Sequence, residues 1–336
     1  MLKPLNFALI GCGAIGKRHA AIISSIGVLK SVCDTDIKKA TAFAKQYNTN
    51  FYTDINSLLN KETDIDVAVI CTPNGLHSQH AVAALSKGCH VLCEKPMAIT
   101  AASARKMISA AIKYKRKLFV VKQNRFNPPV AFVQDLLHKK QLGKVFSFQV
   151  NCFWNRDMKY YQTSSWRGTK KLDGGVLFTQ FSHFIDLIYW FFGEVKMVKA
   201  FHQNAAHKKV SELEDTGSAI LQMNSGVTGS VNYSINSYKK NMEGSITIFG
   251  EKGTVKIGGQ YLNKLEYLCR EKNNIPQLKE GKGANQYGFY EGSMSNHELV
   301  YDNLVSILNG SSEKYVSGED GIKSVEIIEK IYRAAK

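Results

Sequence analysis

The chain has 336 residues, of which 44% are apolar and 21% charged, a composition typical of globular proteins that excludes collagenous and disordered chains. At about 150 residues per domain, this length predicts two domains. Lys and Arg number 44 against 28 for Asp and Glu, and the resulting net charge of +16 favours anionic partners. Because the basic residues form short scattered clusters, they indicate a solvated basic surface, and we expect no nucleic-acid partner.

Targeting and membrane signals are weak in this sequence. The apolar run at residues 5–10 is too short for a signal peptide, and the most apolar later stretch, 184–192, is too short to span a bilayer. The seven cysteines form no C-x-x-C pair and mostly lie in apolar runs, so we expect buried reduced thiols. These features predict a cytoplasmic protein with no membrane partner.

The first 120 residues alternate strand-like and helix-like patterns. The predicted strands are 7–10, 29–33, 67–71, 90–93 and 118–121, and the predicted helices are 15–25, 37–47, 78–87 and 101–114. Residues 67–71 form a β-branched run typical of a parallel strand buried on both faces. Repeated β-α-β units predict an α/β Rossmann domain, which we place at residues 1–125.

After Asn127-Pro128-Pro129 the pattern changes to longer strands that alternate apolar and polar residues. A helix is predicted at 130–139, and strands at 145–153, 195–202, 216–223, 227–237 and 244–249. This period of two predicts an α+β domain over 126–336, with an open, mostly antiparallel sheet. Residues 270–295 are predicted to be a long loop, and two closing helices, 296–309 and 318–335, are expected to return toward the first domain.

The first chemical motif is Gly11-Cys12-Gly13-Ala14-Ile15-Gly16, which follows a strand and opens a helix. In that context G-x-G-x-x-G places a pyrophosphate at a helix N-terminus, so these residues are candidate cofactor ligands. Asp34 lies 18 residues after Gly16, where an acid binds the adenosine ribose. Asp36 is close to Asp34 in the sequence and no Arg follows either acid. The two carboxylates would repel the 2′-phosphate of NADP, so the motif favours NAD.

Two further motifs follow predicted strands, at the sheet edge where α/β proteins bind ligands. Cys71-Thr72-Pro73-Asn74-Gly75-Leu76-His77 offers Thr72, Asn74 and His77 as cofactor contacts, and Cys93-Glu94-Lys95-Pro96 offers Glu94 and Lys95. Near the first of these motifs no carboxylate or cysteine stands at ligand spacing from a histidine, so we expect no metal. Taken alone, Lys95 is equally typical of a surface lysine before a helix.

The fourth motif combines Trp166-Arg167-Gly168-Thr169, Asp173-Gly174-Gly175 and a helix that contains a polar stripe. If one helix runs through this region, Thr179, His183 and Asp186 fall at i, i+4 and i+7 and share a face. Such a stripe is typical of a binding site or of a satisfied buried network, and the residues alone leave both interpretations open.

These motifs together resemble the glucose-fructose oxidoreductase, inositol dehydrogenase and rhizopine-catabolism (Gfo/Idh/MocA) family, over essentially the whole chain. In that family the Lys of E-K-P and the His of the later helix are the catalytic pair, so the resemblance implies these roles for Lys95 and His183. Many members have Asp four residues before this His, where the chain has Thr179. A neutral Thr cannot stabilise an imidazolium by charge, which argues against a simple inositol or glucose dehydrogenase.

A closer resemblance is to the UDP-N-acetylglucosamine and UDP-N-acetylglucosaminuronate 3-dehydrogenases, carried by stretches at 123–128, 154–161, 166–169, 173–175 and 180–183. It implies an NAD-dependent oxidation of the sugar 3-hydroxyl for bacterial surface polysaccharides such as lipopolysaccharide. The implied cofactor contacts in the second half are Gln123, Trp166 and Arg167. The implied substrate contacts are Lys95, Arg125, Asn127, Arg156, Tyr161, Thr179, Gln180 and His183. On residue type alone, each of these arginines is equally typical of a structural ion pair.

The resemblance implies that His183 takes the hydroxyl proton while Lys95 stabilises the developing alkoxide, although either group can be the formal base. The sequence does not decide whether the substrate is the uronate or the parent sugar. Two other functions also stay open: oxidation of another sugar or polyol, and a non-catalytic NAD-binding regulator. A regulator would not need Lys95 and His183 together, which favours the enzyme. Relatives pair through the open sheet, so we expect a homo-dimer or homo-tetramer.

Overall fold

The computed structural model describes residues 4–335, apart from 272–276, 280, 282, 287, 289 and 312–314. The chain divides into two compact units, one formed by Met1–Val121 with His297–Val325 and the other by Lys122–Asn296 with Glu326–Lys336. Across the described ranges, no helix combines the length and the hydropathy needed to cross a bilayer. All seven cysteines are reduced, and all but Cys269 are buried, as their apolar surroundings predict.

The first unit is built on a six-stranded parallel sheet. Its strands are β1 (Asn6–Ile10), β2 (Val28–Cys33), β3 (Asn50–Tyr52), β4 (Val67–Ile70), β5 (His90–Cys93) and β6 (Leu118–Val120). Its helices include α1 (Ala14–Ile26), α2 (Ile37–Tyr47), α3 (Ile55–Lys61), α4 (His77–Ser86) and α5 (Ala101–Lys113). The strand order β3-β2-β1-β4-β5-β6, with every pair parallel, confirms the predicted Rossmann arrangement and places the topological switch between β1 and β4.

Local sequence explains where these helices begin. Asp36, Asp54 and Thr100 cap α2, α3 and α5 by accepting hydrogen bonds from backbone N–H groups two or three residues later. The sequence pattern predicts no element between residues 48 and 66, yet β3 and α3 lie there. β3 has three residues and two of them are exposed, so neither its length nor its apolar pattern marks it as a strand.

The second unit is built on a seven-stranded sheet. Its sheet strands are β7 (Val145–Phe153), β8 (Val195–Gln203), β9 (Thr216–Met223), β10 (Thr228–Ser234), β11 (Glu243–Gly250), β12 (Gly253–Gly258) and β13 (Lys264–Arg270). Its helices include α6 (Pro128–His138), α7 (Met158–Gln162), α8 (Val176–Thr179) and α9 (Ser182–Phe192). The order is β13-β12-β11-β7-β10-β9-β8, and only β10 with β7 is a parallel pair, which confirms the open, mostly antiparallel sheet.

Helix α9 covers one face of this sheet. Gly244 on β11 makes room for it, because a Cβ at Gly244 would lie 2.7 Å from Cζ of Phe184. On the same face the ring centroids of Trp154 and Phe181 are 5.2 Å apart, and Phe148 on β7 is 1% exposed. This aromatic core fixes α9, and therefore His183, against the sheet.

The predicted loop at 270–295 is wrong in part. Strands β14 (Ala284–Gln286) and β15 (Glu291–Met294) form an antiparallel hairpin in that stretch, and some of its other residues lie outside the described ranges. The strands are short and rich in Gly, Asn and Ser, so no apolar alternation marks them. The closing helices α10 (His297–Leu308) and α11 (Gly318–Ala334) span nearly the residues that the sequence predicts for them.

Candidate active site

The glycine turn after β1 has the geometry that its motif predicts. Gly11 has φ +106°, and a Cβ there would lie 2.5 Å from the carbonyl oxygen of Cys71. A Cβ on Gly16 would lie 2.2 Å from the carbonyl oxygen of Gly11, whereas a Cβ on Gly13 would meet nothing within 4 Å. Gly11 and Gly16 therefore allow close packing of strand and helix, and Gly13 leaves the backbone open to a ligand.

Helix α1 begins at this open position. Gly13 is its N-cap residue, no side chain caps the helix, and its first turn, which starts with Ala14 and Ile15, has no acidic residue. The partial positive charge of a helix N-terminus favours an anion such as a pyrophosphate. The open side of Gly13 and this uncapped N-terminus together fit a dinucleotide.

The acidic residue at the end of β2 completes the cofactor cradle. The Asp34 carboxylate accepts the N–H of Cys12 at 2.8 Å through Oδ2 and that of Asp36 at 2.9 Å through Oδ1. Asp34 is thereby held beside the glycine turn, where a carboxylate suits ribose hydroxyl donors. Asp36 instead caps α2 by accepting the N–H of Lys38 at 3.0 Å, so Asp34 is the better candidate for the ribose.

The loop after β4 is tied to the loop after β5 by His77. Its Nδ1 lies 2.7 Å from the carbonyl oxygen of Pro96, and its Nε2 lies 2.7 Å from that of Thr72. His77 is 1% exposed, so its contacts with the protein position both loops. Thr72 also hydrogen-bonds His80 through Oγ1 at 3.0 Å, and Asn74 starts a short 3₁₀ turn and is 6% exposed.

Lys95 is half-buried at the carboxyl end of β5, after Glu94 and before a cis peptide bond to Pro96. Its backbone N–H donates to Oε2 of Glu94 at 2.9 Å, while Oε1 of Glu94 lies 2.9 Å from Nε2 of His19. Because β1, β4 and β5 are parallel, Lys95, Thr72 and Gly11 all lie at one edge of the sheet. This is the edge at which open α/β sheets bind ligands.

Glu94 forms a buried cluster with two histidines. Nε2 of His297 lies 3.3 Å from Oε1 of Glu94, and Nδ1 of His19 lies 2.7 Å from the hydroxyl of Tyr301. Burial raises the pKa of the Glu94 carboxyl, but interactions with His19 and His297 outweigh it and hold that pKa well below its usual range. The ligand atoms of the three residues lie within 4.8 Å of one another. Through its contacts with His19 and His297, at 2.9 Å and 3.3 Å, the Glu94 carboxylate stabilises the strand end that carries Lys95.

In the second unit the predicted continuous helix is wrong. The chain forms a one-turn helix α8 that ends at Thr179, and α9 begins only at Ser182. Thr179 therefore does not share a helix face with His183 and Asp186. Its hydroxyl donates to the Asp173 carboxylate instead, and burial raises the pKa of Asp173.

His183 is 2% exposed near the start of α9. Its Nε2 lies 3.2 Å from Oγ of Ser293 and 3.4 Å from Nε2 of Gln123. Gln123, a predicted cofactor contact, thus lies against the imidazole, and it also donates to Ser293 at 3.0 Å. Ser293 was missed because it lies on β15, in the stretch that the sequence predicts to be a loop.

Asp186 neutralises two cations, of which Lys122 is buried. Its carboxylate accepts two hydrogen bonds from Arg125, each at 2.8 Å, and lies 3.3 Å from Nζ of Lys122. Burial raises the pKa of Asp186, but the charges of Arg125 and Lys122 outweigh it, so that the pKa is lowered. The sequence allows two roles for Arg125, a substrate contact or a structural ion pair, and the structure shows the ion pair. Its contact with substrate stays a prediction.

The other predicted contacts of this unit lie largely in internal networks. Nε of Arg156 donates to Gln180 at 2.8 Å and its Nη2 to the carbonyl oxygen of Glu291 at 3.1 Å, although Arg156 is only 2% exposed. The Arg167 guanidinium lies 4.0 Å from the ring centroid of Tyr160. Trp166 is half-buried, Tyr161 is 6% exposed, and Asn127 is fully buried and donates to the carbonyl oxygen of Tyr261.

Comparison with known proteins agrees with this geometry. A family model described as an oxidoreductase family with an NAD-binding Rossmann fold matches residues 5–122, and its C-terminal alpha/beta domain matches 134–336. The WlbA dehydrogenase from Chromobacterium violaceum, solved in complex with NADH and UDP-GlcNAcA, is 32% identical with a TM-score of 0.89 and covers 100% of this chain and 96% of its own. The Bordetella pertussis WlbA dehydrogenase, in complex with the same two molecules, is 33% identical with a TM-score of 0.88 and covers 99% and 97%.

Among curated proteins, the glucose-6-phosphate 3-dehydrogenase of Bacillus subtilis is 25% identical over 341 residues, which cover 97% of this chain and 95% of that protein. The predicted cofactor is confirmed, because the matched family binds NAD and the glycine turn, α1 and Asp34 fit it. With both of its domains matched, the chain belongs to the Gfo/Idh/MocA family of NAD-dependent oxidoreductases.

Proposed function

We propose that this enzyme oxidises the 3-hydroxyl of a UDP-linked N-acetyl sugar, either UDP-N-acetylglucosaminuronate or UDP-N-acetylglucosamine. The observation that carries the proposal is the full-length likeness, at 32% and 33% identity, to two dehydrogenases in complex with NADH and UDP-GlcNAcA. The net charge of +16 agrees with an anionic nucleotide-sugar. The product would serve the synthesis of bacterial surface polysaccharides.

The chain's own residues bind the cofactor and hold it in place. The turn from Gly11 to Gly16 and the N-terminus of α1 hold the pyrophosphate, and Asp34 accepts hydrogen bonds from the ribose hydroxyls. When bound, NAD supplies the hydride acceptor for the oxidation of the sugar carbon. Lys95, at the same sheet edge, serves this reaction from the loop after β5.

Lys95 and His183 carry the proton chemistry in this proposal. The ammonium group of Lys95 donates to the reacting hydroxyl oxygen and stabilises its alkoxide character as the proton leaves. His183 receives that proton as the general base. Two neutral side chains, Ser293 and Gln123, lie within 3.4 Å of Nε2 of His183.

The proposal is tested by following NADH formation at 340 nm across a panel of UDP-sugars, with glucose 6-phosphate and inositol included. At least one of the two UDP-N-acetyl sugars should react, and Lys95→Ala and His183→Asn should each lower kcat about 100-fold or more while the protein still binds NAD. Lys87→Ala and His138→Asn are matched controls at exposed positions and should retain activity.

Two other results would replace the proposal. Oxidation of glucose 6-phosphate or inositol, with no reaction of the UDP-sugars, would assign the enzyme to another sugar or polyol of the same family. Binding of NAD without turnover of any panel member would favour a non-catalytic regulator.

We also propose that the enzyme is a homo-oligomer that pairs through the open face of its second sheet. Side chains of this face are exposed although they are apolar or aromatic: Met197 is 51% exposed, Phe201 84%, Ile220 63% and Tyr267 52%. Met197, Phe201 and Ile220 lie on the adjacent strands β8 and β9, and exposed apolar side chains this close together are more typical of an interface than of a solvated surface. In this proposal the same face of a second copy covers it, as a two-fold axis would place them.

A further inference from the structure

The buried guanidinium of Arg156 links three segments of the second unit. Arg156 follows β7 and is 2% exposed. Its Nε donates to Oε1 of Gln180 at 2.8 Å, and its Nη2 donates to the carbonyl oxygen of Glu291 at 3.1 Å. Its Nη1 donates to Oδ1 of Asn241 at 3.2 Å. One side chain therefore joins the link between α8 and α9, the start of β15 and the loop between β10 and β11.

The surroundings of Arg156 hold its main chain as well as its guanidinium. Nε2 of His207 lies 2.7 Å from the carbonyl oxygen of Arg156, and Nδ1 of His207 lies 3.0 Å from the Asp215 carboxylate. Three aromatic rings surround the guanidinium, with their centroids 5.1–5.3 Å from its carbon: Trp154, Tyr160 and Tyr290. Because the N–H groups of a guanidinium point in fixed directions, a guanidinium held in this way also fixes the positions of its acceptors.

Two of the segments that Arg156 joins also determine where His183 lies. Gln180 precedes α9 by two residues, and His183 is the second residue of that helix. Glu291 begins β15, and on this strand Oγ of Ser293 lies 3.2 Å from Nε2 of His183. The hydrogen bonds of Arg156 therefore tie the helix that carries the imidazole to the strand that lies against it.

The same hydrogen bonds leave Arg156 little capacity to bind a sugar. A guanidinium has five N–H groups, and four of them donate to oxygen atoms of the protein, the fourth acceptor being the carbonyl oxygen of Asn155. We propose that Arg156 is a positioning residue that holds His183 against β15, and not the substrate contact that the resemblance implies. The role rests on the proposed function, in which His183 is the general base.

The experiment combines kinetics with NMR of the full-length protein. In Arg156→Ala we expect kcat to fall about 10- to 100-fold, because the base is misplaced, with KM for the sugar changed less than about threefold. The histidine ring signals are recorded without substrate, and those of His183 are assigned as the ones that disappear in His183→Asn. They should shift in Arg156→Ala and in Arg156→Lys, whose single ammonium group cannot replace the fork. Arg333→Ala, at an exposed position on α11, is the matched control and should keep both kcat and the His183 signals.

Two results would overturn the proposal. The first is a folded Arg156→Ala variant whose KM rises tenfold or more at unchanged kcat, which would make Arg156 a substrate contact. The second is unshifted His183 signals in that variant. If Arg156→Ala does not fold, Arg156→Lys and Gln180→Met, which removes one acceptor of the guanidinium, are judged by the same signals. Because these signals are read without substrate, they stand apart from the proposed function, which fails instead if no UDP-sugar is oxidised.

Discussion

Replacing Gly13 by Ala separates cofactor binding from folding. A Cβ at this position meets nothing within 4 Å, and the backbone, at φ −84° and ψ −167°, is in a region that alanine adopts readily. We therefore expect the free energy of unfolding to change by less than about 1 kcal/mol. The new methyl group lies on the side that the pyrophosphate approaches, and the loss of one or two hydrogen bonds to a charged group would weaken NAD binding about 10- to 100-fold.

The matched control is Gly16→Ala in the same turn. Its Cβ would lie 2.2 Å from the carbonyl oxygen of Gly11, so backbone must move and the free energy of unfolding should fall by about 1–3 kcal/mol. Urea unfolding measures the stability of both variants, and calorimetric titration measures their affinity for NAD. If Gly13→Ala binds NAD as the wild type does, the glycine turn is not the pyrophosphate site and the cofactor assignment of these residues is wrong.

Three further predictions concern stability, cofactor choice and assembly. Burial raises the pKa of the Glu214 carboxyl to about 7, above its value in the unfolded chain, so its contribution to stability is present at low pH and is lost as the pH rises through 7. The free energy of unfolding of the wild type should therefore fall by about 2–3 kcal/mol between pH 5 and pH 8 relative to Glu214→Gln, and equal pH dependence of the two proteins in urea unfolding would contradict this. Asp34→Ser should weaken NAD binding about tenfold, because the ribose loses its charged hydrogen-bond acceptor, and should therefore reduce the preference for NAD over NADP. The ratio of the two dissociation constants measures this preference, and an unchanged ratio would contradict the prediction. Phe201→Asp should leave the fold intact by circular dichroism, since Phe201 is 84% exposed in the single chain, but convert the oligomer to a monomer in sedimentation velocity; an unchanged oligomer would exclude this face as the interface.

The cofactor half of the site is predictable from sequence because its signals are local. Gly11, Gly13 and Gly16 lie in one turn, and the close packing at Gly11 and Gly16 needs space that only glycine leaves. The strand before them and the helix after them have clear periodicity, so the motif could be placed in its structural context. Asp34 follows at the spacing that one β-α-β unit fixes.

The environment of His183 could not be predicted because it depends on contacts distant in sequence. Gln123 and Ser293 are 60 and 110 residues away from it, and Ser293 lies in a short strand without apolar alternation. The break between α8 and α9 was also missed, since no glycine or proline marks residues 180 and 181 and the apolar pattern continues through them. Similarly, nothing near Arg125 indicates that Asp186, 61 residues later, holds its guanidinium.

The fate of one hydrogen atom shows whether the enzyme oxidises C3 of the sugar. UDP-N-acetylglucosaminuronate carrying deuterium on C3, and the matching UDP-N-acetylglucosamine, are each incubated with the enzyme and NAD, and the nicotinamide product is analysed by mass spectrometry. We expect the reduced cofactor to gain the deuterium and to be one mass unit heavier than with the unlabelled sugar, and we expect His183→Asn to form almost none of it. Unlabelled NADH, or none with either sugar, would contradict it.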